Sequence, residues 1–140
     1  MNQEFTLEVL TPAKPLLKAQ VSEVVLPAYD GEVGVLAEHE DFIGLLGTGA
    51  LKLVRGGDDY WFMVSSGLYE VSAGKLTVFA EIAEDAKEID AGAASKRIQE
   101  LEAQLNDPQK FNPEHFNSQK LEHEQNAARV EVHRRTNVMN

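Results

Sequence analysis

The sequence predicts an N-terminal antiparallel β-sandwich or flattened barrel followed by a C-terminal two-helix antiparallel hairpin. Short apolar runs with an alternating pattern, separated by turn-forming residues, continue to about residue 80, which is typical of a sandwich or a barrel. At Glu81 the glycine turns and the alternation end, and Ala, Glu, Lys and Gln become frequent. We therefore expect a β-domain at 1–86, a helical hairpin at 88–136 and a short tail at 137–140.

The β-domain divides into eight to ten short predicted strands. Phe5, Leu7 and Val9 alternate with polar residues, which is the period of a half-buried strand. Glycine, proline, asparagine and aspartate favour turns because of their backbone freedom or their side-chain hydrogen bonds. Such turn signals lie at Thr11-Pro12, Asp30-Gly31, Gly47-Thr48-Gly49, Arg55–Asp58, Ser65-Ser66-Gly67 and Ala73-Gly74. The periodicity alone does not choose between a sandwich and a flattened barrel.

Two helices are predicted after Glu88. The first has apolar residues at intervals of three and four, with Asp90 as the N-cap; its stripe comprises Ala91, Ala94, Ile98, Leu101 and Leu105. The second begins at Asn112-Pro113 and continues to about Arg135, and its apolar stripe is thin and broken. Because such a polar helix gains little from packing, we expect the hairpin to dock weakly and to be able to detach.

The composition excludes several classes of function. The net charge of −10 disfavours binding to nucleic acid and to anionic lipid, and the absence of cysteine excludes disulfides and thiolate metal sites. No apolar run approaches the length of a membrane span, and the N-terminus does not resemble a signal peptide. We therefore expect a soluble, cytoplasmic chain.

Motifs for catalysis are weak throughout. The glycines from Gly44 to Gly49 do not form a phosphate loop, because Ala50 stands where that motif requires lysine. The cluster Glu38-His39-Glu40-Asp41 could tune a histidine or hold a metal, but an exposed acidic loop is the simpler interpretation. His115 and His123 are about two helical turns apart, too far to share one metal easily. We expect no enzyme activity, no metal and no cofactor.

Three consecutive aromatic residues, Tyr60-Trp61-Phe62, lie on one predicted strand. Their side chains must alternate between the faces of the sheet, so Trp61 points away from its two neighbours. It fills a core or forms an interface.

Two segments resemble the epsilon subunit of F-type ATP synthases. The segment LPAYDGEVGVLAEHEDF is similar to the family pattern LPG-x-x-GE-x-GVLP-x-H-x-P. Downstream, SSGLYEVSAGKLTVFAEIAEDAKEID is similar to the family's SGG-x-x-EV…VTVLAD-x-A…EID. The chain departs from the pattern at Ala37-Glu38, where Pro-Gly is usual, and at Asp41, where proline is usual.

The resemblance implies a non-catalytic rotor subunit that couples proton flow to ATP synthesis, peripheral to the cytoplasmic face of a bacterial inner membrane and monomeric when isolated. In that family the sandwich contacts the gamma subunit and the c-subunit ring. By position in the motifs, the implied gamma contacts are Thr11, His39 and Gly44, and the implied c-ring contacts are Asp30, Gly31 and Glu32. A Glu32 that is simply solvated remains the alternative for that site.

The resemblance also implies that the hairpin can extend towards the catalytic alpha and beta subunits and inhibit hydrolysis. The candidate inhibitory residues are Arg129, Arg134 and Arg135, for which a solvated helix end is the alternative. Some members bind ATP through I/L-D-x-x-R-A; here Asp90 is present but Ala93 replaces the arginine. We therefore expect no tight ATP binding, and we do not expect Lys96 or Arg97 to substitute.

Two other functions remain open from the residues alone. One is a free-standing sandwich that binds a partner protein and dimerises through the stripe of Ile98, Leu101 and Leu105. The other is a small enzyme that uses His39 with its neighbouring carboxylates.

Overall fold

The computed structural model describes residues 3–138 and contains one seven-stranded sheet. The strands lie in the order β2-β1-β7-β6-β5-β3-β4. All neighbouring strands pair antiparallel except β1 and β7, which are parallel. The strands are β1 (Phe5–Leu10), β2 (Pro15–Val21), β3 (Glu23–Ala28), β4 (Gly31–Val35), β5 (Phe42–Arg55), β6 (Asp58–Ser72) and β7 (Lys75–Asp85).

A bend in the middle of β6 folds this sheet into the two layers of a sandwich. Val64 and Tyr69 are both buried in the same core, although an odd separation of five residues would place them on opposite faces of a regular strand. The alternation changes phase at Ser66 and Gly67, whose φ angles are 61° and 135°. β5 bends beside β6 near Gly47. Its alternation of inward and outward side chains also shifts there, because Leu46 and Leu51, five residues apart, are both in the core.

The bend separates two outer surfaces. The helix-bearing face carries Ala50, Trp61 and Met63 beneath the second helix. The open face carries Leu45, Leu68 and Phe79, which no helix covers and which are exposed.

Compared with the prediction, the structure has fewer and longer strands. The glycines Gly47 and Gly49 do not make a turn but lie within β5, and Ser65–Gly67 bend β6 without ending it. The result is a sandwich and not a closed barrel. The hairpin turn at Gly56-Gly57 and the tight turn at Ala73-Gly74 are confirmed, with positive φ at all four residues.

Two helices follow β7, as the change of periodicity predicts. α1 (Ala91–Asn106) begins at Asp90, whose carboxylate accepts a hydrogen bond of 3.0 Å from the N–H of Ala93. A turn of 3₁₀ helix capped by Asn112 then leads into α2 (Phe116–Val138). α2 is longer than predicted and extends beyond Arg135 into the segment predicted as a tail, of which residues 139–140 lie outside the described residues.

α2 lies between the sheet and α1. Its buried residues Ala128 and Val132 pack against Met63, Trp61 and Ile82. In α1 the predicted stripe is confirmed at its centre, because Ala94 and Leu101 are buried. Ala127, the neighbour of Ala128 on α2, is exposed. The hairpin therefore contacts the sandwich through one apolar cluster centred on Met63 and Val132.

Replacing Gly67 with alanine tests the bend. A Cβ at this position would lie 1.8 Å from the carbonyl oxygen of Phe79, and the φ of +135° is unfavourable for a side chain. We expect Gly67→Ala to lower the free energy of unfolding, measured in urea, by more than about 2 kcal/mol. Gly34→Ala is the control, since nothing lies within 4 Å of the position that its Cβ would occupy, and it should change stability by less than about 0.5 kcal/mol. Equal losses in the two variants would contradict the role of the bend.

Candidate protein-docking surfaces

An apolar row crosses four strands on the open face. Strand register places Leu45 of β5 opposite Leu68 of β6, Leu68 opposite Phe79 of β7, and Phe79 beside Leu10 of β1. The exposed fractions of Leu45, Leu68 and Phe79 are 62%, 40% and 42%. With strands about 4.8 Å apart, this apolar row is about 15 Å long. A contiguous apolar patch of this kind is typical of a protein-binding surface.

The residues predicted to contact gamma lie at different distances from this row. Thr11 is beside it, because Thr11 and Pro12 line a shallow depression with Leu10 and Phe79. Gly44 precedes Leu45, but it faces the core: a Cβ there would lie 2.5 Å from the ring of Tyr69. Gly44 therefore has a packing role, since only glycine leaves room for the Tyr69 ring.

His39 lies in the loop between β4 and β5. Its Nδ1 is 2.7 Å from the carbonyl oxygen of Glu40. The loop is tied to the β6–β7 turn by Asp41, whose carboxylate accepts a hydrogen bond of 3.2 Å from the N–H of Ala73. Within residues 3–138, no group of three or more His, Asp or Glu side chains is placed to hold a metal ion. The loop is thus a fixed, acidic surface.

The predicted c-ring contacts lie at the tip of the β3–β4 hairpin. Ala28 pairs with Gly31, so Tyr29 and Asp30 form a two-residue loop, and Tyr29 is 78% exposed. The N–H of Tyr29 donates to the carbonyl oxygen of Leu45 at 2.9 Å, which places the tip next to the apolar row. Glu32 is exposed and takes part in no ion pair among the described residues. The two predicted contact regions are therefore neighbours.

All three predicted inhibitory arginines make contacts within the docked hairpin. Arg129 on α2 donates two hydrogen bonds to the carboxylate of Glu84 on β7, at 2.8 and 2.9 Å. Arg134 and Arg135 both donate to Glu131, each at 2.7 Å, and these guanidinium groups lower the pKa of the Glu131 carboxyl. Arg129 is thus the one of the three that ion-pairs with the sandwich.

Two further contacts fix α2 on the helix-bearing face. Gln125 donates to the buried hydroxyl of Ser65 at 3.1 Å, and this hydroxyl also lies 2.9 Å from the hydroxyl of Thr48. The guanidinium of Arg135 lies 5.5 Å from the centre of the Trp61 ring, a cation–π distance. The interface that the sequence predicted as one alternative for Trp61 is therefore an intramolecular one, with α2.

The two helices are joined by polar side chains as well as by Leu101. Arg97 donates two hydrogen bonds to Glu122 at 2.7 and 2.9 Å, which lowers the pKa of Glu122. His123 lies 3.1 Å from Glu102, and Gln119 donates to Gln104 at 3.0 Å. The hairpin therefore has its own internal bonds, separate from those to the sandwich.

A cavity of about 300 Å³ lies where the nucleotide motif would be. Its lining includes Asp90, Ala93, Glu84, Glu88 and Arg129. Asp90 is occupied as the helix cap and Arg129 is paired with Glu84. Three carboxylates and one paired guanidinium do not suit a polyphosphate, and Arg97 is engaged by Glu122. Weak or absent ATP binding stays our prediction.

The apolar row is the feature that the sequence interpretation missed. Leu45, Leu68 and Phe79 each lie in a short apolar run, and such runs look like core. The signal that identifies them is their alignment across three strands, which requires the strand register and the position of the bend.

The comparisons with known proteins agree with this architecture. Residues 4–86 match the model of the family described as "ATP synthase, Delta/Epsilon chain, beta-sandwich domain". The chain belongs to this family. The ATP synthase epsilon chain of Nitratidesulfovibrio vulgaris (strain Miyazaki F) is 42% identical over 96 residues, which cover 69% of this chain and 72% of the relative. The ATP synthase epsilon chain of Solibacter usitatus is 37% identical over 108 residues, which cover 77% of this chain and 81% of the relative.

Solved structures share the fold at low sequence identity. A chain of the Euglena gracilis mitochondrial ATP synthase, in an OSCP/F1/c-ring structure, superposes with a TM-score of 0.79 at 23% identity, over 89% of this chain and 78% of that one. A chain of the Tetrahymena thermophila mitochondrial ATP synthase, in a central stalk and c-ring structure, superposes with a TM-score of 0.57 at 14% identity. The superposition covers 96% of this chain and 97% of that one.

Family membership confirms the resemblance that the sequence motifs carry and the expectation of a non-catalytic subunit. The hairpin lies outside the residues that the family model matches. Among residues 3–138, no helix combines the length and apolar character needed to cross a membrane.

The pair of Glu84 and Arg129 provides a test of hairpin docking. Its geometry is bidentate and the two side chains are 31% and 22% exposed. In a double-mutant cycle of Glu84→Gln and Arg129→Gln, we expect a coupling free energy of about 1–2 kcal/mol, measured by urea unfolding of the full chain. The pair of Glu131 and Arg134 is the control: it lies within α2 and is more exposed, so its coupling should be smaller. Coupling as small in the first pair as in the control would show that Glu84 does not hold α2.

Proposed function

We propose that this chain is a non-catalytic subunit of the central stalk of an F-type ATP synthase, where it helps couple proton translocation to ATP synthesis. The observation that carries the proposal is the family match over 4–86, combined with an exposed apolar row on the face of that domain away from the helices. The solved structures with the same fold are chains of ATP synthase assemblies that include F1, the central stalk or the c-ring. The location follows from the assembly: peripheral, on the cytoplasmic face of a bacterial inner membrane.

The apolar row is the proposed gamma-binding surface. Leu45, Leu68 and Phe79 lie on strands of a rigid sandwich, and a rigid apolar surface binds a partner with little loss of conformational entropy. Thr11 borders the row directly. His39 adds to this surface from the acidic loop that precedes β5. Gly44 contributes by leaving room for the ring of Tyr69, which lies opposite it on β6.

The tip of the β3–β4 hairpin, with Asp30, Gly31 and Glu32, is the proposed c-ring contact. Asp30 and Glu32 are exposed carboxylates at this two-residue loop, so they suit the basic or polar loops of a partner. The tip adjoins the apolar row, which allows one rigid domain to contact gamma and the ring together.

The hairpin is the proposed regulatory element. In the docked form Arg129, Arg134 and Arg135 are paired with Glu84 and Glu131. These arginines can meet acidic segments of the alpha and beta subunits only if the docked contacts of Arg129 break. Docking to the sandwich and inhibition of the catalytic head are therefore mutually exclusive uses of Arg129.

The two other functions that the residues left open have less support. A dimerisation stripe at Ile98, Leu101 and Leu105 would have to be exposed, but Leu101 is fully buried against α2. An enzyme built on His39 would need a concave site, whereas His39 lies in the exposed loop between β4 and β5.

The first test is recovery of partners. Tagged protein isolated from solubilised membranes of the source organism should bring down gamma with the alpha, beta and c subunits. Recovery of the chain alone or as a dimer would contradict the proposal.

A charge placed in the apolar row should weaken gamma binding. Leu68 is the centre of the row, and Leu68→Arg brings a charge into a surface that gamma must desolvate. We expect the dissociation constant for purified gamma, measured by titration calorimetry, to rise at least about tenfold. Leu121→Arg is the matched control, because Leu121 is similarly exposed at 36% but lies on α2. Equal effects of the two substitutions would argue against the row as the binding surface.

Hairpin inhibition is tested by ATP hydrolysis in the assembled complex. Glu84→Gln weakens docking, so it should favour the extended hairpin and lower the hydrolysis rate, by up to about fivefold if docking loses about 1 kcal/mol. Replacing Arg129, Arg134 and Arg135 together with alanine should raise the rate. Arg55→Ala, on the β5–β6 turn, is the control for loss of a positive charge. Unchanged rates in both test variants would exclude inhibition by this hairpin.

A further inference from the structure

Tyr29 is the most exposed large hydrophobic side chain within residues 3–138, with an exposed fraction of 78%. It lies in the two-residue loop of the β3–β4 hairpin, between Ala28 and Gly31, which pair with each other. The loop is tied to β5, because the N–H of Tyr29 donates a hydrogen bond of 2.9 Å to the carbonyl oxygen of Leu45. A fixed backbone thus presents an aromatic ring to solvent, as it does for the anchor residues of protein interfaces.

Strand register places Tyr29 at the end of the apolar row. Ala28 lies opposite Leu46, and both are core residues. Because side chains alternate along a strand and opposite residues share a face, the next pair, Tyr29 and Leu45, points outward on the open face. With strands about 4.8 Å apart, Tyr29 lengthens the row from about 15 Å to about 19 Å. The extended row comprises Leu10, Phe79, Leu68, Leu45 and Tyr29.

Two glycines of β5 make this register possible. The pairing of β3 with β5 shifts between Val25 and Ala28, where the sheet bends. A Cβ on Gly47 would lie 3.0 Å from the carbonyl oxygen of Ala28. A Cβ on Gly49 would lie 2.9 Å from the side chain of Pro27. The close approach of the two strands at these glycines holds the hairpin loop beside β5.

Glu32, on the same hairpin, belongs to the other outer surface. It lies opposite Pro27, and both residues line a groove on the helix-bearing face together with Trp61. The hairpin therefore presents the ring of Tyr29 to the open face and the carboxylate of Glu32 to the helix-bearing face. A partner on the apolar row and a partner at Glu32 can be bound at the same time.

The apolar surface is least covered at the Tyr29 end. Leu68 and Phe79 are 40% and 42% exposed, whereas Leu45 is 62% exposed. Ile43, which points outward on the same face of β5, is 64% exposed. A partner that covered only the centre of the row would leave the most exposed apolar side chains in water. A partner that reaches Tyr29 buries the whole surface.

We propose that Tyr29 is an anchor residue for gamma, although it lies on the hairpin whose carboxylates contact the c-ring. Gamma bound along the apolar row extends over Leu45 to the ring of Tyr29, while Asp30 and Glu32 stay available to the c-ring. A tyrosine suits this edge position, because its ring gives a large apolar contact and its hydroxyl can keep a hydrogen bond. The inference rests on the proposed function, since gamma is the partner that it names.

Binding of purified gamma in the absence of the c-ring tests the assignment. The dissociation constant for the full-length protein is measured by titration calorimetry. We expect Tyr29→Ser to raise it by about tenfold, because the apolar contact of the ring is lost. Tyr29→Phe keeps the ring and should stay within about twofold of the unsubstituted protein. Since Tyr29 is exposed in the free chain, both variants should unfold in urea as the unsubstituted protein does.

Two controls separate Tyr29 from its surroundings. Tyr60→Ser removes another exposed tyrosine, which lies at the start of β6, and it should leave gamma binding unchanged. Glu32→Gln should also leave gamma binding unchanged. In a second assay, the complex with gamma is formed first and its binding to purified c-ring in detergent is measured. There Glu32→Gln should weaken binding and Tyr29→Ser should not.

The outcomes separate the inference from the proposed function. If Leu68→Arg weakens gamma binding and Tyr29→Ser does not, the apolar row binds gamma but the role of Tyr29 is wrong. If Tyr29→Ser weakens only the binding of the c-ring, Tyr29 belongs to the ring contact and the inference is also wrong. If the unsubstituted protein does not bind gamma, the proposed function fails, and the role of Tyr29 fails with it.

Discussion

The structure depends on the close approach of β6 to β7 at Gly67. Because no side chain stands there, the backbone can bend against the carbonyl of Phe79, and the alternation of β6 changes phase. Val64 and Tyr69 can then both face one core. The same phase change sends Trp61 and Met63 to one outer face and Leu68 to the other. One face is thereby free to hold a helix and the other to bind a partner, although both belong to the same strand.

The hairpin is attached to this sandwich through an apolar cluster and through several directional polar contacts. Ala128 and Val132 are buried in the apolar cluster, and Arg129, Gln125 and Arg135 each contact a specific group on the sheet. Polar contacts between partly exposed groups exchange readily with water and contribute modestly to stability. They nevertheless define one position for α2. Placement by contacts of this kind is compatible with the regulatory role proposed for the hairpin.

The fold class could be predicted from the sequence, whereas the apolar row and the contacts of α2 with the sandwich could not. The two periodicities, the N-cap at Asp90 and the turn glycines at Gly56-Gly57 are local features, and the structure contains each of them. The glycines at Gly47 and Gly49 misled the interpretation, because a glycine in a long bent strand and a glycine in a turn have the same local signature. The apolar row and the pairing of Arg129 with Glu84 depend on residues that are far apart in the chain. No local pattern contains that information, so these features required the register of the sheet.

The parallel pairing of β1 with β7 has a consequence for synthesis of the protein. Leu7 lies opposite Leu76 and Val9 opposite Val78, and all four side chains are fully buried in the core. A nascent chain that ends before Lys75 can pair β1 with β2. It cannot complete this core, because β7 has not yet been made. Contacts between such distant segments also form slowly. A prematurely terminated chain therefore keeps apolar strands exposed, and exposed strands of this kind are prone to aggregation.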